Sequence, residues 1–295
     1  LIFLEAIRQM RKEVGRDNVC YIHVTLISFL ETTAELKTKP TQHSVDTLRS
    51  RGIQPDILAC RTEKHLPVSI REKLSLFTDV DVKCVIQCHD VGNLYEVPLV
   101  LEQEGLATRV LERLHMPDSV PDLADWKTLI ERIRKPSANI TIAIVGKYVK
   151  LSDAYISVVE SLKHGAARVG CHVQILWVLS EDVEKQGCEE FLADVDGILV
   201  PGGFGDRGID GKIMAANYAR THNIPYLGLC LGMQIAVIEF ARNVAKMPGA
   251  HSTEFDPKTP FPVIDLMPDQ HDVVNKGGTM RLGRYPCHLT PGSRA

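Results

Sequence analysis

Residues 228–234, GLCLGMQ, allow this chain few ways to fold. They follow a short apolar segment, residues 224–229, and run into a helix-period pattern at Ile235, Ile238 and residues 240–245. Cys230 therefore falls on a turn that joins a strand directly to a helix, and such a turn lifts one side chain clear of the sheet. A thiol there faces a helix N-terminus, whose unpaired N–H groups and dipole favour the thiolate over a free-cysteine pKa of about 8.5. The same turn aims the Leu231 N–H at any oxyanion formed on attack. Gly228 and Gly232 flank the cysteine, letting the backbone turn sharply and a substrate approach with no Cβ in the way. The competing reading is a buried core cysteine, the usual fate of a lone one. The glycines, the turn and the following Gln234 fit nucleophilic catalysis.

The rest of the chain repeats the order strand, then helix. Leu4, Ile7, Met10 and Val14 recur at helical spacing until Gly15 stops them. Residues 19–27 read as a buried strand, residues 57–60 and 85–88 as two more, with helical patterns at 44–49 and 70–77 between them. HMPDSVPD, residues 115–122, carries two prolines and no periodicity and reads as an interdomain linker, followed by a short helix at 125–134. Residues 140–145 open a second series as a strand. A helix capped by Asp153 and running toward Val169 follows, then strands at 173–178 and 197–200. This is the pattern of two α/β domains with mainly parallel sheets, and 295 residues suffice for about two domains.

Composition narrows the function classes. A formal net charge of −3 leaves no strong global basic field, so no nucleic-acid partner is expected. Eight cysteines include no CxxC pair, and Cys84 with Cys88 lacks the second half of a zinc site, so no metal ligands are assigned. No apolar run reaches the length of a membrane span and no signal-peptide pattern opens the sequence. Reduced thiols in a cytoplasmic protein, with no membrane partner, are the expectation. The Gly146–Lys147 pair is not a Walker motif, because no glycine stands five residues earlier and no Ser or Thr follows the lysine.

Three further stretches carry chemistry. ELKTKPTQ, residues 35–42, places Lys37 and Lys39 two apart with Pro40 interrupting any helix through them. Two ammonium groups and two hydroxyls between a strand end and a helix start suit phosphate binding, and equally suit a solvated charged loop. His89, Asp90 and Val91 sit just beyond a strand's carboxyl end, where open α/β sheets bind ligands. His89 itself reads as a packing or surface histidine. PGGFG, residues 201–205, leaves a strand with two adjacent glycines that let peptide planes turn their N–H groups toward a ligand, or make a plain tight turn.

Taken together, GLCLGMQ resembles the nucleophile elbow of class I glutamine amidotransferases. With PGGFG and KTKPTQ upstream and STEF and GGTMRLG downstream, the chain resembles the CTP synthase family along nearly its whole length. The resemblance implies a P-loop-type synthase domain, represented by residues 1–114, a linker at 115–138, and a flavodoxin-like class I glutamine amidotransferase domain from 139 to 295. It implies ATP-dependent amination of UTP to CTP with ammonia released from glutamine. In that reading Cys230 is the nucleophile, Gly203 and Leu231 donate to the oxyanion, and Gly232, Met233, Gln234 and Glu254 help hold glutamine. Lys37, Thr38, Lys39, Pro40, Thr41, Gln42 and Lys73 hold UTP or CTP, and His89, Asp90 and Val91 border ATP.

The family's histidine and glutamate base lies downstream of GGTMRLG and its magnesium-binding carboxylates lie upstream of the segment matching Leu1. His251, His271 and His288 have no following Pro and Glu. The resemblance therefore implies that these residues are a fragment, inactive as a CTP synthase by themselves. It also implies Mg²⁺ with ATP, CTP as feedback inhibitor, GTP as activator and a homotetramer. The alternatives are an amidotransferase with another acceptor, against which KTKPTQ argues, and a non-catalytic nucleotide-binding or assembly module.

Overall fold

The computed structural model describes residues 2–267 and 288–293. GGTMRLG and His271 lie outside the described residues. The chain forms two compact units, Leu1–Ile130 and Glu131–Ala295.

The first unit runs α1 (Ile2–Val14), β1 (Ile22–Leu30), β2 (Glu35–Lys37), α2 (Lys39–Ser50), β3 (Ile57–Thr62), α3 (Val68–Thr78), β4 (Val85–His89), α4 (Val97–Gln103) and α5 (Leu106–Arg113). Its sheet has the order β2-β1-β3-β4, parallel except for the β1–β2 hairpin, which pairs Ser28 with Lys37 and Leu30 with Glu35. The first strand differs from expectation in extent and in burial. It begins at Ile22, and Ile22, Val24 and Leu26 are exposed while Ile27 is buried. The face turned to α2 carries His23 and Thr25, whose side chains hydrogen-bond Ser44 at 2.8 Å and Thr41 at 2.9 Å. The polar residues thus face the helix, which a count of apolar residues cannot foresee.

Pro40 does not interrupt α2. It occupies the first turn, where its missing N–H would have had no intrahelical partner. The basic stretch is therefore one continuous strand-to-helix passage. Beneath it lies a core of Ile27, Val45, Leu58, Cys60, Leu66, Leu74, Val80 and Val85. Burial of Cys60 pushes its thiol up to about 12.

The second unit follows α6 (Ala124–Arg134) with β5 (Ala138–Gly146), α7 (Ile156–Arg168), β6 (Cys171–Leu179), α8 (Ser180–Gln186), α9 (Glu189–Leu192), β7 (Gly197–Val200), α10 (Ile209–Thr221), β8 (Tyr226–Gly228), α11 (Leu231–Asn243), β9 (His251–Ser252) and β10 (Pro262–Ile264). Asp153 does not cap α7: it lies inside a 3-10 turn, Ser152–Tyr155, and Tyr155 takes the cap position. The main sheet is wholly parallel in the order β6-β5-β7-β8, with Ala143, Val145, Val178, Ile198 and Val200 in its core. The chain steps from β5 outward to β6 and then back across to β7, which opens a crevice at the carboxyl ends of β5 and β7.

One ion pair fixes the helix that carries Lys73. Arg71 on α3 donates to both Glu104 oxygens, at 2.6 and 3.2 Å, and to the Val85 carbonyl at 3.1 Å, while Glu104 also accepts the Gln87 N–H. Burial pushes the Glu104 carboxyl up, but the Arg71 and Gln87 hydrogen bonds outweigh it and the net direction is down. A carboxyl held below its unfolded value stabilises the fold above that value and loses the contribution as pH falls through the folded one. Glu104→Gln is expected to cost about 2 kcal/mol in urea unfolding at pH 7. Its stability should then fall less steeply than wild type below about pH 4.5; equal slopes would show that Glu104 does not carry the linkage.

Candidate active site

At the end of β8 the backbone turns on Cys230 itself. Its φ of 53° and ψ of −109° place a non-glycine residue in a conformation that costs on the order of 1–3 kcal/mol, and the thiol side chain is exposed. The Cys230 carbonyl accepts the Met233 and Gln234 N–H groups at 3.1 and 3.3 Å, which closes the first turn of α11. Leu231 is the first helical residue, so its N–H is one of the donors a helix leaves without an internal partner.

The flanking glycines have a different purpose from the one expected. A Cβ on Gly232 would lie 1.9 Å from the Val200 carbonyl oxygen, and one on Gly228 would lie 2.3 Å from the Gly232 carbonyl. Both residues serve the packing of the helix start against β7 and β8, and the unusual dihedral falls on the cysteine. Two hydrogen bonds fasten the same seam: Leu229 N–H donates to the Val200 carbonyl at 2.9 Å, and the Tyr226 hydroxyl donates to the Gly232 carbonyl at 2.8 Å. Burial pushes the Tyr226 phenol up, which keeps it a donor.

The loop after β7 comes alongside. A Cβ on Gly202 would meet the Cys230 Cβ at 3.4 Å and its Sγ at 3.7 Å, so Gly202 borders the thiol directly. A Cβ on Gly203, the residue singled out from the sequence, would instead meet Lys212 Nζ at 3.6 Å and Leu231 Cδ2 at 3.9 Å. Lys147 Nζ, at the end of β5, donates to the Phe204 carbonyl at 2.8 Å. Gly202, Lys147 and Lys212 were not legible as site residues. Lys147 shows in the sequence only as part of a Gly–Lys pair that is no phosphate loop, and Lys212 sits in a helix of mostly small and apolar residues. Met233 is exposed and Gln234 half-buried on the first turn of α11. Glu254 is exposed in the turn after β9, with its N–H on Ser252 Oγ at 3.2 Å. Phe255, Val263 and Ile264 tie that turn to Leu231, Ile235 and Ile238 of α11.

In the first unit, Lys37, Thr38, Lys39, Pro40 and Lys73 line one cleft of about 720 Å³, with Leu30, Leu36 and Ile70 as its apolar wall. Thr41 is fully buried and its hydroxyl donates to the Leu26 carbonyl at 3.2 Å, while Gln42 Nε2 donates to Thr38 Oγ1 at 3.2 Å. These two side chains shape the helix start and do not line the cleft. His89 is the last residue of β4 and its Nδ1 lies 3.3 Å from Gln87 Nε2. Asp90 pairs with Arg61 at 3.1 Å and Val91 is half-buried; none of these three lines the cleft. Among the described residues no group of three or more His, Cys, Asp or Glu is placed to hold a metal, and no helix is long and apolar enough to cross a membrane.

Cysteine elbow and double-glycine loop on a parallel sheet place the second unit with the class I glutamine amidotransferases, whose family description matches residues 150–294. Residues 1–116 match the family described as CTP synthase N-terminus. The chain belongs to the CTP synthase family. It is 60% identical over 296 residues to the CTP synthase of Roseiflexus sp. (strain RS-1), a match covering 100% of this chain and 53% of that protein. It is 58% identical over 295 residues to that of Synechocystis sp. (strain ATCC 27184 / PCC 6803 / Kazusa), covering 100% and 53%. The chain thus spans about half the length of the curated relatives it matches.

The two kinds of glycine contact separate stability from chemistry. Gly232→Ala is expected to lower unfolding stability by about 2–3 kcal/mol, because its Cβ meets backbone that must move. Gly202→Ala, whose Cβ would make ordinary contacts, should stay within about 1 kcal/mol of wild type in the same denaturant titration. Similar losses for both would refute the packing role of Gly232.

Proposed function

We propose that this chain carries the glutaminase nucleophile and the pyrimidine-nucleotide cleft of a cytoplasmic CTP synthase, which aminates UTP to CTP with ATP and ammonia drawn from glutamine. What carries the reading is the coexistence, in one chain, of an exposed cysteine on a strained elbow beside a double-glycine loop and of a separate lysine-lined cleft. In the glutaminase half, Cys230 Sγ adds to the glutamine amide carbon and the electron pair moves to oxygen. The Leu231 and Gly203 N–H groups receive that oxyanion, each such donor contributing about 10² to 10³ in turnover. Collapse of the adduct breaks the C–N bond, the nitrogen leaving as ammonia with the proton given up by the thiol, and the thioester that remains is cleaved by water to glutamate and the free thiol. Glu254, beside the same helix, takes the substrate amino group, with Met233 and Gln234 forming the floor and Gly232 holding that first turn against β7.

In the synthase half, Lys37, Lys39 and Lys73 hold the triphosphate common to UTP and CTP, and Thr38 and Pro40 shape the start of α2 against it. Thr41 and Gln42 act through that shape. His89, Asp90 and Val91 border ATP through backbone groups. The family's Mg²⁺ would accompany ATP and would supply charge neutralisation on its phosphates. The described residues offer no ligand set for the metal. GTP activation and a homotetramer belong to the same family reading.

Two measurements on the full-length protein test this. Cys230→Ala should abolish glutamine hydrolysis while ammonia-dependent CTP formation survives, and loss of both in a folded variant would refute the separation of the two sites. Lys39→Ala should weaken UTP use and CTP inhibition together, by about tenfold or more, since each charge-assisted hydrogen bond contributes roughly 1.5–3 kcal/mol. Unchanged affinity for both nucleotides would return the loop to a solvated surface.

A further inference from the structure

Lys212 is the largest of the fully buried side chains, with 1% of its surface exposed. No hydrogen bond or ion pair to its ammonium is found among the described residues, and the Glu181 carboxylate acts on it only at a distance. A buried unpaired charge is expensive, so a structure retains one where something else uses it. Its position suggests the use. A Cβ on Gly202 would stand 3.7 Å from the Cys230 Sγ and one on Gly203 would stand 3.6 Å from Lys212 Nζ, so one peptide joins a residue beside the thiol to a residue beside the ammonium. An ammonium attracts the carbonyl end of a peptide, and the N–H end then points the other way, toward the thiol. Glycine on both sides lets that peptide plane rotate at low cost.

We infer that Lys212 is a positioning residue for the oxyanion site, drawing the carbonyl of the Gly202–Gly203 peptide toward itself so that the Gly203 N–H is presented to the oxygen on the carbon that Cys230 attacks. The inference rests on the reading of Cys230 as nucleophile. The surroundings are consistent with a charge held in reserve. Lys147 approaches from β5 and is held by the Phe204 carbonyl; Glu181 on α8 pairs with Arg207 at 3.1 Å and leaves its second oxygen buried without a partner; Glu184 is held by the Gly211 N–H at 3.1 Å. Asp210 precedes Lys212 on its own helix and is exposed. Burial first and Lys147 second pull the Lys212 ammonium down to about 8, against the opposing pull of Glu181. It is therefore charged below about pH 8 and loses its proton above.

The test compares two reagents on Cys230, read by mass spectrometry. A chloromethyl ketone analogue of glutamine generates an oxyanion as sulfur adds and chloride departs; iodoacetamide alkylates by direct displacement and generates none. The ratio of the two rates cancels the ionisation of the thiol. Lys212→Met, matched in length and apolar, is expected to lower the ketone rate about tenfold or more and to leave the iodoacetamide rate within about twofold. In wild type the ratio should be flat below pH 7 and fall as pH rises through about 8, whereas in Lys212→Met it should not change with pH. The wild-type profile needs no variant, so a misfolded Lys212→Met leaves the question decidable. A wild-type ratio that is level across pH 7–9, or a variant that slows both reagents equally, overturns the role of Lys212 alone. Failure of the ketone to label wild-type Cys230 overturns the nucleophile reading and the inference with it.

Discussion

The close approach of Gly232 to the Val200 carbonyl is the contact on which the second unit's chemistry depends. Hydrogen at the Gly232 Cα lets α11 start directly against β7, and any larger group would push the helix away by the 1.9 Å clash with that oxygen. The seam then holds Leu229 to Val200 and Tyr226 to Gly232, so the elbow has no slack in which Cys230 could relax to an ordinary dihedral. The strained φ and ψ of the cysteine follow from this packing, since strain persists only where the surroundings over-determine it. The same contact brings the Gly202 end of the loop to the thiol. The tightness of the seam and the strained, exposed placing of the thiol therefore share one geometric cause.

Much of this was legible in the residues, and what was not has identifiable physical reasons. Alternation of β-branched runs with helix-period segments located the parallel strands of both sheets to within a few residues and put Cys230 on its turn, but it missed β2, which lies in the stretch read as a charged loop. The identity of the glycines as packing residues was hidden, because a sequence shows where a Cβ is missing but not which neighbour requires it. β1 misled for another reason: its hydrogen-bonding residues His23 and Thr25 face α2, and its apolar residues Ile22, Val24 and Leu26 face outward. Pro40 misled because a proline breaks a helix interior yet suits its first turn, and only the helix boundary decides between the two.

Lys212 marks the limit of pattern reading most clearly. A lysine among small and apolar residues on a helix is ordinarily taken to reach solvent along its stem. Here α10 is covered on that side by α8, with Gly208 and Gly211 fitted against Ser180 so tightly that a Cβ on Gly211 would stand 1.9 Å from the Ser180 carbonyl oxygen. The helix cannot tilt to release the ammonium. Its stem stays under the loop and its charge stays beside Gly203.

The cleft of the first unit poses a different electrostatic problem, because it includes an acidic residue among its lysines. Glu35 accepts a hydrogen bond from Lys37, which holds its carboxyl below the usual carboxylate range, with Lys73 adding to the effect. Both partners of that pair are well exposed, at 40% for Lys37 and 60% for Glu35, and exposed ion pairs contribute little to stability. A phosphate chain entering the cleft presents several charged oxygens to the same ammonium and to Lys39 and Lys73 besides. In the proposed role, exchange of Glu35 for phosphate would therefore cost little and gain the larger attraction. Until then Glu35 occupies Lys37 and limits the like-charge repulsion of three lysines converging on one cavity. On the reading proposed for this cleft, the carboxylate would act as a stand-in anion, and a nucleotide would displace a weak partner rather than enter an uncompensated cluster of charge.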